Sequence, residues 1–282
     1  YGRGIFEGLK AYRLQDGRVV LFRASENARR MREGAEVMRM RPVPEDFFLQ
    51  AVHNAVRENQ EFIPEFGEGA LYIRPLLLDA GEVMGLGKST LATFQITVNP
   101  VGNYFAGGLT GVHLYHKYGA IRSGCGHVKA IGNYAMGIAL KEEAKERGFD
   151  EVIYTRPETI FVTECGAMNL FFMTGNTLHT PELDEHILPG ITRKSVIELA
   201  RKADFEVVEG DVSLYAHFDE AFGTGTAAVI APVLGWGDVD GGGVTYQGGV
   251  GERTKFLYDQ LIGIQNGTLP DQFGWLEEVE LY

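Results

Sequence analysis

The sequence predicts an α+β protein of two domains. The smaller, residues 1–99, mixes sheet and helix, and the larger, residues 109–282, carries a barrel-like sheet. Three observations lead there. Two segments of helical period interrupt β-type runs in the first hundred residues. Residues 100–108 hold one proline, three glycines and little periodicity, the composition of an interdomain linker. Beyond them short strands dominate, with few helices between.

Taken in order, residues 9–14 and 18–23 read as a hairpin, because Gln15-Asp16-Gly17 between apolar runs is a turn signal. Ser25 is the expected cap of a first helix, with Met31, Ala35 and Met38 at helical spacing and Arg29, Arg30 and Arg32 toward solvent. A second helix over 45–60 places Phe47, Phe48, Ala51, Val52 and Val56 on or near one face. Methionines in these helices are expected to fill core rather than do chemistry. Residues 71–78 and 92–98 read as strands joined by a glycine-containing loop, and Pro100 is expected to end the second.

In the larger domain a strand at 111–116 precedes a glycine-punctuated loop and an amphipathic helix over 135–147. Short strands follow at 151–154, 160–164, 169–173 and 177–180. A helix over 192–202, a strand over 206–212, a glycine-rich turn into an apolar strand at 222–230 and a last helix over 251–265 complete it. The tail around Phe273-Gly274-Trp275 reads as polar.

Bulk properties exclude several roles. A 282-residue chain, 45% apolar and 23% charged, is ordinary for a globular protein able to bury a full core. The net charge of −12 argues against nucleic acid or an anionic membrane as partner. No apolar run approaches the roughly 18 residues a spanning helix needs. Two cysteines, Cys125 and Cys165, argue against a disulfide framework as the basis of the fold, and a reducing cytoplasm is the default compartment. Both are expected to be small buried side chains. The seven histidines lack metal-ligand spacing, so no metal is assigned, and His127 reads as a loop histidine.

Three stretches carry the chemistry. The first is Ser123-Gly124-Cys125-Gly126-His127-Val128-Lys129-Ala130-Ile131-Gly132-Asn133-Tyr134. The second, Thr163-Glu164-Cys165-Gly166-Ala167-Met168-Asn169-Leu170-Phe171, puts a glutamate 35 residues after Lys129. The third is Leu188-Pro189-Gly190-Ile191-Thr192-Arg193. A lysine that attacks a carbonyl must be unprotonated, which partly desolvated surroundings favour, and Val128, Ala130 and Ile131 are apolar. Glu164 lies between apolar runs, where a charge needs a partner. Taken singly, Lys129 is a solvated lysine, Glu164 a strand-end ion-pair residue, Tyr134 helix packing and Arg23 one more exposed arginine.

Together, in this order and spacing, they resemble the class IV pyridoxal-phosphate aminotransferases, most closely the branched-chain amino acid aminotransferases. The resemblance runs from Tyr1 almost to the last residue. It implies a fold-type IV enzyme, with a further stretch upstream of the Tyr1-Gly2-Arg3-Gly4-Ile5-Phe6-Glu7-Gly8 motif. It implies pyridoxal 5′-phosphate as cofactor and Lys129 as the catalytic residue that binds it. Glu164 would keep the pyridine nitrogen protonated, and Tyr134 would bond the phenolic oxygen. Arg23, with the backbone at Ile191, Thr192 and Thr226, would hold the phosphate.

The same resemblance implies a substrate pocket lined by Phe6 and Tyr134, with Tyr72, Thr226 and Ala227 on the α-carboxylate. Arg74 would meet the distal carboxylate of glutamate, or serve only as a structural ion-pair residue. Tyr1, Met84 and Leu86 match positions that reach in from a partner subunit, which implies at least a homodimer. The implied reaction moves the amino group of L-leucine, L-isoleucine or L-valine to 2-oxoglutarate in a ping-pong course, with small amino acids and 2-oxo acids as the partners. Some relatives carry a redox-sensitive Cys-x-x-Cys after the Gly-Thr-Ala turn; Ala228 and Ala231 stand there, so no such switch is expected. A D-amino acid aminotransferase or an aminodeoxychorismate lyase would share the lysine and glutamate. Tyr72-Ile73-Arg74 and Gly225-Thr226-Ala227-Ala228 argue against both. A non-enzymatic binding protein on the same fold is the third class, countered by the presence of every position the chemistry needs.

Overall fold

The computed structural model describes residues 2–82, 85, 87, 89–104, 109–117, 125–246 and 249–282. The expectations for Tyr1, Met84 and Leu86 lie outside these residues. The chain divides into two compact units. The first is Tyr1–Tyr104 with Val128–Gly132 and Ile262–Tyr282; the second is Phe105–His127 with Asn133–Leu261. The expectation draws two contiguous segments; in the structure the lysine segment and the C-terminal tail lie in the first unit.

In the first unit β1 (Gly4–Phe6), β2 (Leu9–Arg13), β3 (Val19–Phe22), β4 (Gly69–Asp79), β5 (Ala92–Gly102) and β15 (Leu276–Val279) form one sheet. The order is β1-β4-β2-β3-β15, with β5 on β4. The β2–β3 hairpin turns as expected: Gly17 takes φ 87°, and Asp16 Oδ1 accepts from the Arg18 N–H at 3.1 Å. Two helices, α1 (Ala24–Val37) and α2 (Glu45–Glu58), supply the stripes Ala24, Ala28, Met31, Ala35 and Phe48, Val52, Val56 to a core with Leu21, Leu71 and Ile73.

Four local expectations are corrected. Ser25 is not the N-cap of α1; it lies inside the helix, and its N–H is satisfied by Glu277 Oε1 of β15 at 3.1 Å. Phe47 faces solvent, one residue off the buried stripe. Pro100 does not end β5; it sits in the strand opposite Leu71. An edge strand tolerates the missing N–H, and β5 pairs only with β4. Arg30, read as facing solvent, turns inward to the buried Glu7 at 2.7 Å. The polar tail pairs with β3 as β15, and Glu278 meets Arg18 at 3.1 Å.

The second unit is built on a closed ring of six strands, β9-β12-β13-β6-β7-β8 and back to β9. These are β6 (Val112–His116), β7 (Glu151–Thr155), β8 (Val162–Cys165), β9 (Met168–Thr174), β12 (Glu220–Gly225) and β13 (Val229–Asp238). The barrel-like sheet expected from the run of short strands is thus present. Extensions are β10 (Thr177–Pro181) on β9, β11 (Glu206–Gly210) parallel to β10, and β14 (Gly243–Thr245) on β13. The helix α4 (Ile191–Lys202) crosses from β10 to β11 and buries Val196, Leu199 and Ala200. Its last turn ends in Arg201 and Lys202, which suits the helix dipole. Of the remaining helices, α5 spans Glu252–Gln265 and α3 spans Ile131–Glu146. In α3 the amphipathic reading gives way: Ala144 is buried, while Met136 and Ile138 are exposed.

Candidate active site

In the first unit, four expected residues come together. The segment after β1 is fixed by the Phe6 N–H donating to the Lys129 carbonyl at 3.1 Å, beside a bridge between Ile5 and Ala130. Burial of Val128 and Ala130 anchors the backbone on both sides of a half-buried Lys129. Lys129 Nζ lies 4.6 Å from the centre of the Phe6 ring, and the Arg74 guanidinium lies 4.6 Å from the same centre. Two residues back on β4, Tyr72 accepts an Arg74 N–H at 2.5 Å. That acceptance leaves the phenol to donate its own hydrogen, and Arg74 Nε is buried without a partner among the described residues. Two cations and a phenol around one aromatic ring suit a carboxylate joined to an apolar group.

Gly8 is required by this arrangement: a Cβ there would lie 2.2 Å from Tyr72 Oη. Lys10, to which the sequence gave no role, stands directly opposite Tyr72 in the β2–β4 pairing and so shares its face. Burial pushes its ammonium down to about 8. Its place in the Phe-Glu-Gly-Leu-Lys run was visible, but not the face it occupies. Arg23 follows β3. It is buried, held at φ 52°, and packed on Trp275.

The second unit gathers another cluster. Glu164 on β8 is opposite Asn169 on β9, which is opposite Thr224 on β12, so the three side chains share a face of the ring. The Glu164 carboxylate is 2% exposed, and its Oε1 accepts from Asn169 Nδ2 at 3.0 Å and from the Leu188 N–H at 3.2 Å. The partner a buried charge requires is therefore supplied in part by the chain itself. Asn169 Nδ2 also donates to the Leu188 carbonyl at 2.8 Å. Gly190 then occupies the N-cap position of α4 with no side-chain cap, so the amides of Ile191 and Thr192 open the helix. Thr226 and Ala227 lie in the turn between β12 and β13. That turn ends on Val229 at φ 63°, a conformation β-branched residues resist.

Tyr134 is in the first turn of α3, half-buried. Next to it, Asn133 Nδ2 donates to the Cys125 carbonyl at 2.7 Å. Cys125 is half-buried rather than buried, Cys165 is buried as expected, and both are free thiols. The His127 N–H donates to the Glu185 carbonyl at 3.2 Å, the structural part a loop histidine was expected to play. Ala228 and Ala231 are both buried.

A family model described as amino-transferase class IV matches residues 4–236. Branched-chain amino acid aminotransferase 2 of Humulus lupulus, chloroplastic, is 44% identical over 99% of this chain and 70% of that protein. The solved branched-chain amino acid aminotransferase of Escherichia coli superposes with a TM-score of 0.85 at 30% identity, covering 99% of this chain and 91% of that one. That of Thermobaculum terrenum, in its PLP form, superposes with a TM-score of 0.85 at 27% identity, covering 99% and 90%. The chain belongs to the class IV aminotransferases. It is an enzyme of fold type IV, and within the class it falls with the branched-chain amino acid aminotransferases.

Pyridoxal 5′-phosphate is the cofactor of this class, and the residues present fit it. A buried carboxylate suits a protonated ring nitrogen. Helix amides without a side-chain cap suit a phosphate. On the Glu164 face Thr224 Oγ1 is buried with no hydrogen-bond partner among the described residues, a polar group that a ligand would satisfy.

Proposed function

We propose that this chain transfers the amino group of L-leucine, L-isoleucine or L-valine to 2-oxoglutarate in two half-reactions. The cofactor supplies the electron sink and stores the amino group between substrates. Lys129 would carry the cofactor, and its Nζ, released when the substrate amine takes its place, would move the proton between the substrate Cα and the cofactor's C4′. Glu164 holds the proton on the ring nitrogen. Tyr134 steadies the phenolic oxygen. Arg23 and the amides at Ile191, Thr192 and Thr226 hold the phosphate. Tyr72, with the Thr226 and Ala227 amides, binds the α-carboxylate, while Phe6 and Tyr134 line the apolar pocket. Arg74 receives the second carboxylate of glutamate.

The observation that carries this reading is the grouping of Lys129, Arg74 and Tyr72 around the Phe6 ring. The ring serves an aliphatic side chain and the adjacent Arg74 guanidinium serves a second carboxylate, both of which a transaminase of this specificity must bind in turn. We further propose a homodimer, with Tyr1, Met84 and Leu86 reaching the partner's site. The exposed Met136 and Ile138 of α3 are apolar surface suited to a second copy. The cytoplasm is the proposed compartment, in keeping with two free thiols. No helix among the described residues is long and apolar enough to cross a membrane.

The test is the visible spectrum of the protein with added cofactor, titrated with L-leucine and separately with D-alanine. Loss of the visible band with L-leucine alone, and no turnover in Lys129→Ala, is the expected result. Loss with D-alanine alone would overturn the substrate assignment, and turnover by Lys129→Ala the assignment of the lysine.

A further inference from the structure

Asn169 touches both of the places where the second unit is read to grip the cofactor. Its amide nitrogen has two hydrogens and gives one to Glu164 Oε1 at 3.0 Å and one to the Leu188 carbonyl at 2.8 Å. Both targets are acceptors, so only the nitrogen can face them. The Leu188 N–H returns to the same Glu164 oxygen at 3.2 Å, closing a ring of three hydrogen bonds. On its other side the amide oxygen covers Gly190, where a Cβ would lie 2.0 Å from Oδ1. Gly190 is the residue that opens α4. The side chain is 5% exposed and is rooted in a strand paired on both sides.

A rigid planar amide thus ties a carboxylate to a helix start. We propose that Asn169 is a positioning residue that sets the spacing and orientation of the Glu164 carboxylate relative to the amides of Ile191 and Thr192. The ring nitrogen and the phosphate of one rigid ligand are then held in register. This rests on the roles given above to Glu164 and to the start of α4. The Leu188 N–H joins Glu164 directly, and Asn169 braces that contact with both of its hydrogens.

The register argument predicts coupling, which separates it from simple support of Glu164. In the native protein, deleting the phosphate from the ligand and deleting the charge of Glu164 should be non-additive, because one clamp sets both contacts. Without Asn169 the two losses should add. The experiment measures dissociation constants of pyridoxal phosphate and of phosphate-free pyridoxal by absorbance. The proteins are the native enzyme stripped of cofactor, Glu164→Gln, Asn169→Ala and the double variant, with thermal unfolding of each.

Asn169→Ala is expected to weaken pyridoxal phosphate by about 10- to 100-fold, the range for losing a hydrogen bond to a charged group. It should weaken pyridoxal less, and shift the visible band of the bound cofactor with pH. Asn169→Ser, which keeps one hydrogen and can reach only one of the two acceptors, should fall between and covers the case where the alanine variant does not fold. Equal weakening of both ligands, or unchanged non-additivity in the double variant, would overturn the inference. A native-like Glu164→Gln would instead sink the reading of Glu164, a result distinct from a native-like Asn169→Ala.

Discussion

The Arg23 guanidinium lies 5.0 Å from the centre of the Trp275 ring, and the Arg23 N–H donates to the Trp275 carbonyl at 2.7 Å. Two residues 252 positions apart thus fix each other through both backbone and side chain. Trp275 is itself held, with Phe273 stacked on it at 4.1 Å and the edge of Phe22 at 5.6 Å. Arg23 is kept in a left-handed conformation that costs roughly 1 kcal/mol or more and persists because its surroundings impose it. If Arg23 holds the phosphate, Trp275→Ala should lose affinity for pyridoxal phosphate and little for pyridoxal, and Trp275→Phe should recover most of it. Stability should fall by about 3–5 kcal/mol for the alanine variant. Absorbance titration with the two ligands decides the point: equal losses would leave Arg23 without a phosphate to bind.

A buried lysine makes stability depend on pH in a known direction. Lys10 falls from an ordinary 10.5 to about 8 on burial, so the folded chain gives up its proton before the unfolded chain does. Between those values the unfolded state binds more protons, and stability rises with pH. The full penalty applies below about 8 and is gone above about 10.5. At 1.36 kcal/mol per pH unit the gain approaches roughly 3 kcal/mol. Urea unfolding at pH 7 and pH 10 should show it in the native protein and not in Lys10→Met, measured against the same background. An equal pH response in both would mean that Lys10 is solvated.

Much of this was legible in order and spacing. Lys129, Glu164, Gly190-Ile191-Thr192 and the Asp16-Gly17 turn are local signals, and local signals survive in a sequence. The run of short strands also announced the barrel of the second unit. What escaped notice depends on partners far along the chain. Leu276-Glu277-Glu278-Val279 is too polar to announce a strand, because its glutamates face Arg18 and the first turn of α1 rather than core. Ser25 looked like a helix cap only because Glu277, which does that work, is invisible from position 25. Pro100 looked like a terminator because edge status is a property of the sheet, not of the residue. Asn169 stood inside a motif, yet its role follows from strand pairing with Glu164 and Thr224.

Glu7 is fully buried and bound by Arg30 through both oxygens, at 2.8 and 2.7 Å, with Asn27 Nδ2 on Oε2 at 2.7 Å. Removing the carboxylate alone leaves a largely buried guanidinium without this counter-charge. Glu7→Ala should therefore destabilise by about 3–5 kcal/mol, and Glu7→Ala with Arg30→Met should restore a large part. Chemical denaturation of the two variants measures this directly. A double variant no more stable than the single one would mean that the pair is not energetically coupled.

Gly8 links the fold to substrate recognition. No left-handed backbone requires glycine there; the requirement is space, since a Cβ would lie 2.2 Å from Tyr72 Oη. Nor is that hydroxyl a loose end: it accepts an Arg74 N–H at 2.5 Å, and the Tyr72 ring is 5.1 Å from the Arg74 guanidinium. Alanine must therefore push Tyr72 aside, and Arg74 with it. Tyr72 is read to meet the α-carboxylate that every substrate carries, so Gly8→Ala should raise KM for leucine and for 2-oxoglutarate alike. A rise of about tenfold corresponds to losing one good hydrogen bond, about 1.4 kcal/mol. Cofactor affinity should stay near native, because the phosphate contacts are assigned to other residues. Steady-state kinetics with both substrates, beside a cofactor titration, separates the possibilities. Native KM values would remove Tyr72 from the carboxylate site, whereas a rise for 2-oxoglutarate alone would assign the contact to Arg74 and the second carboxylate.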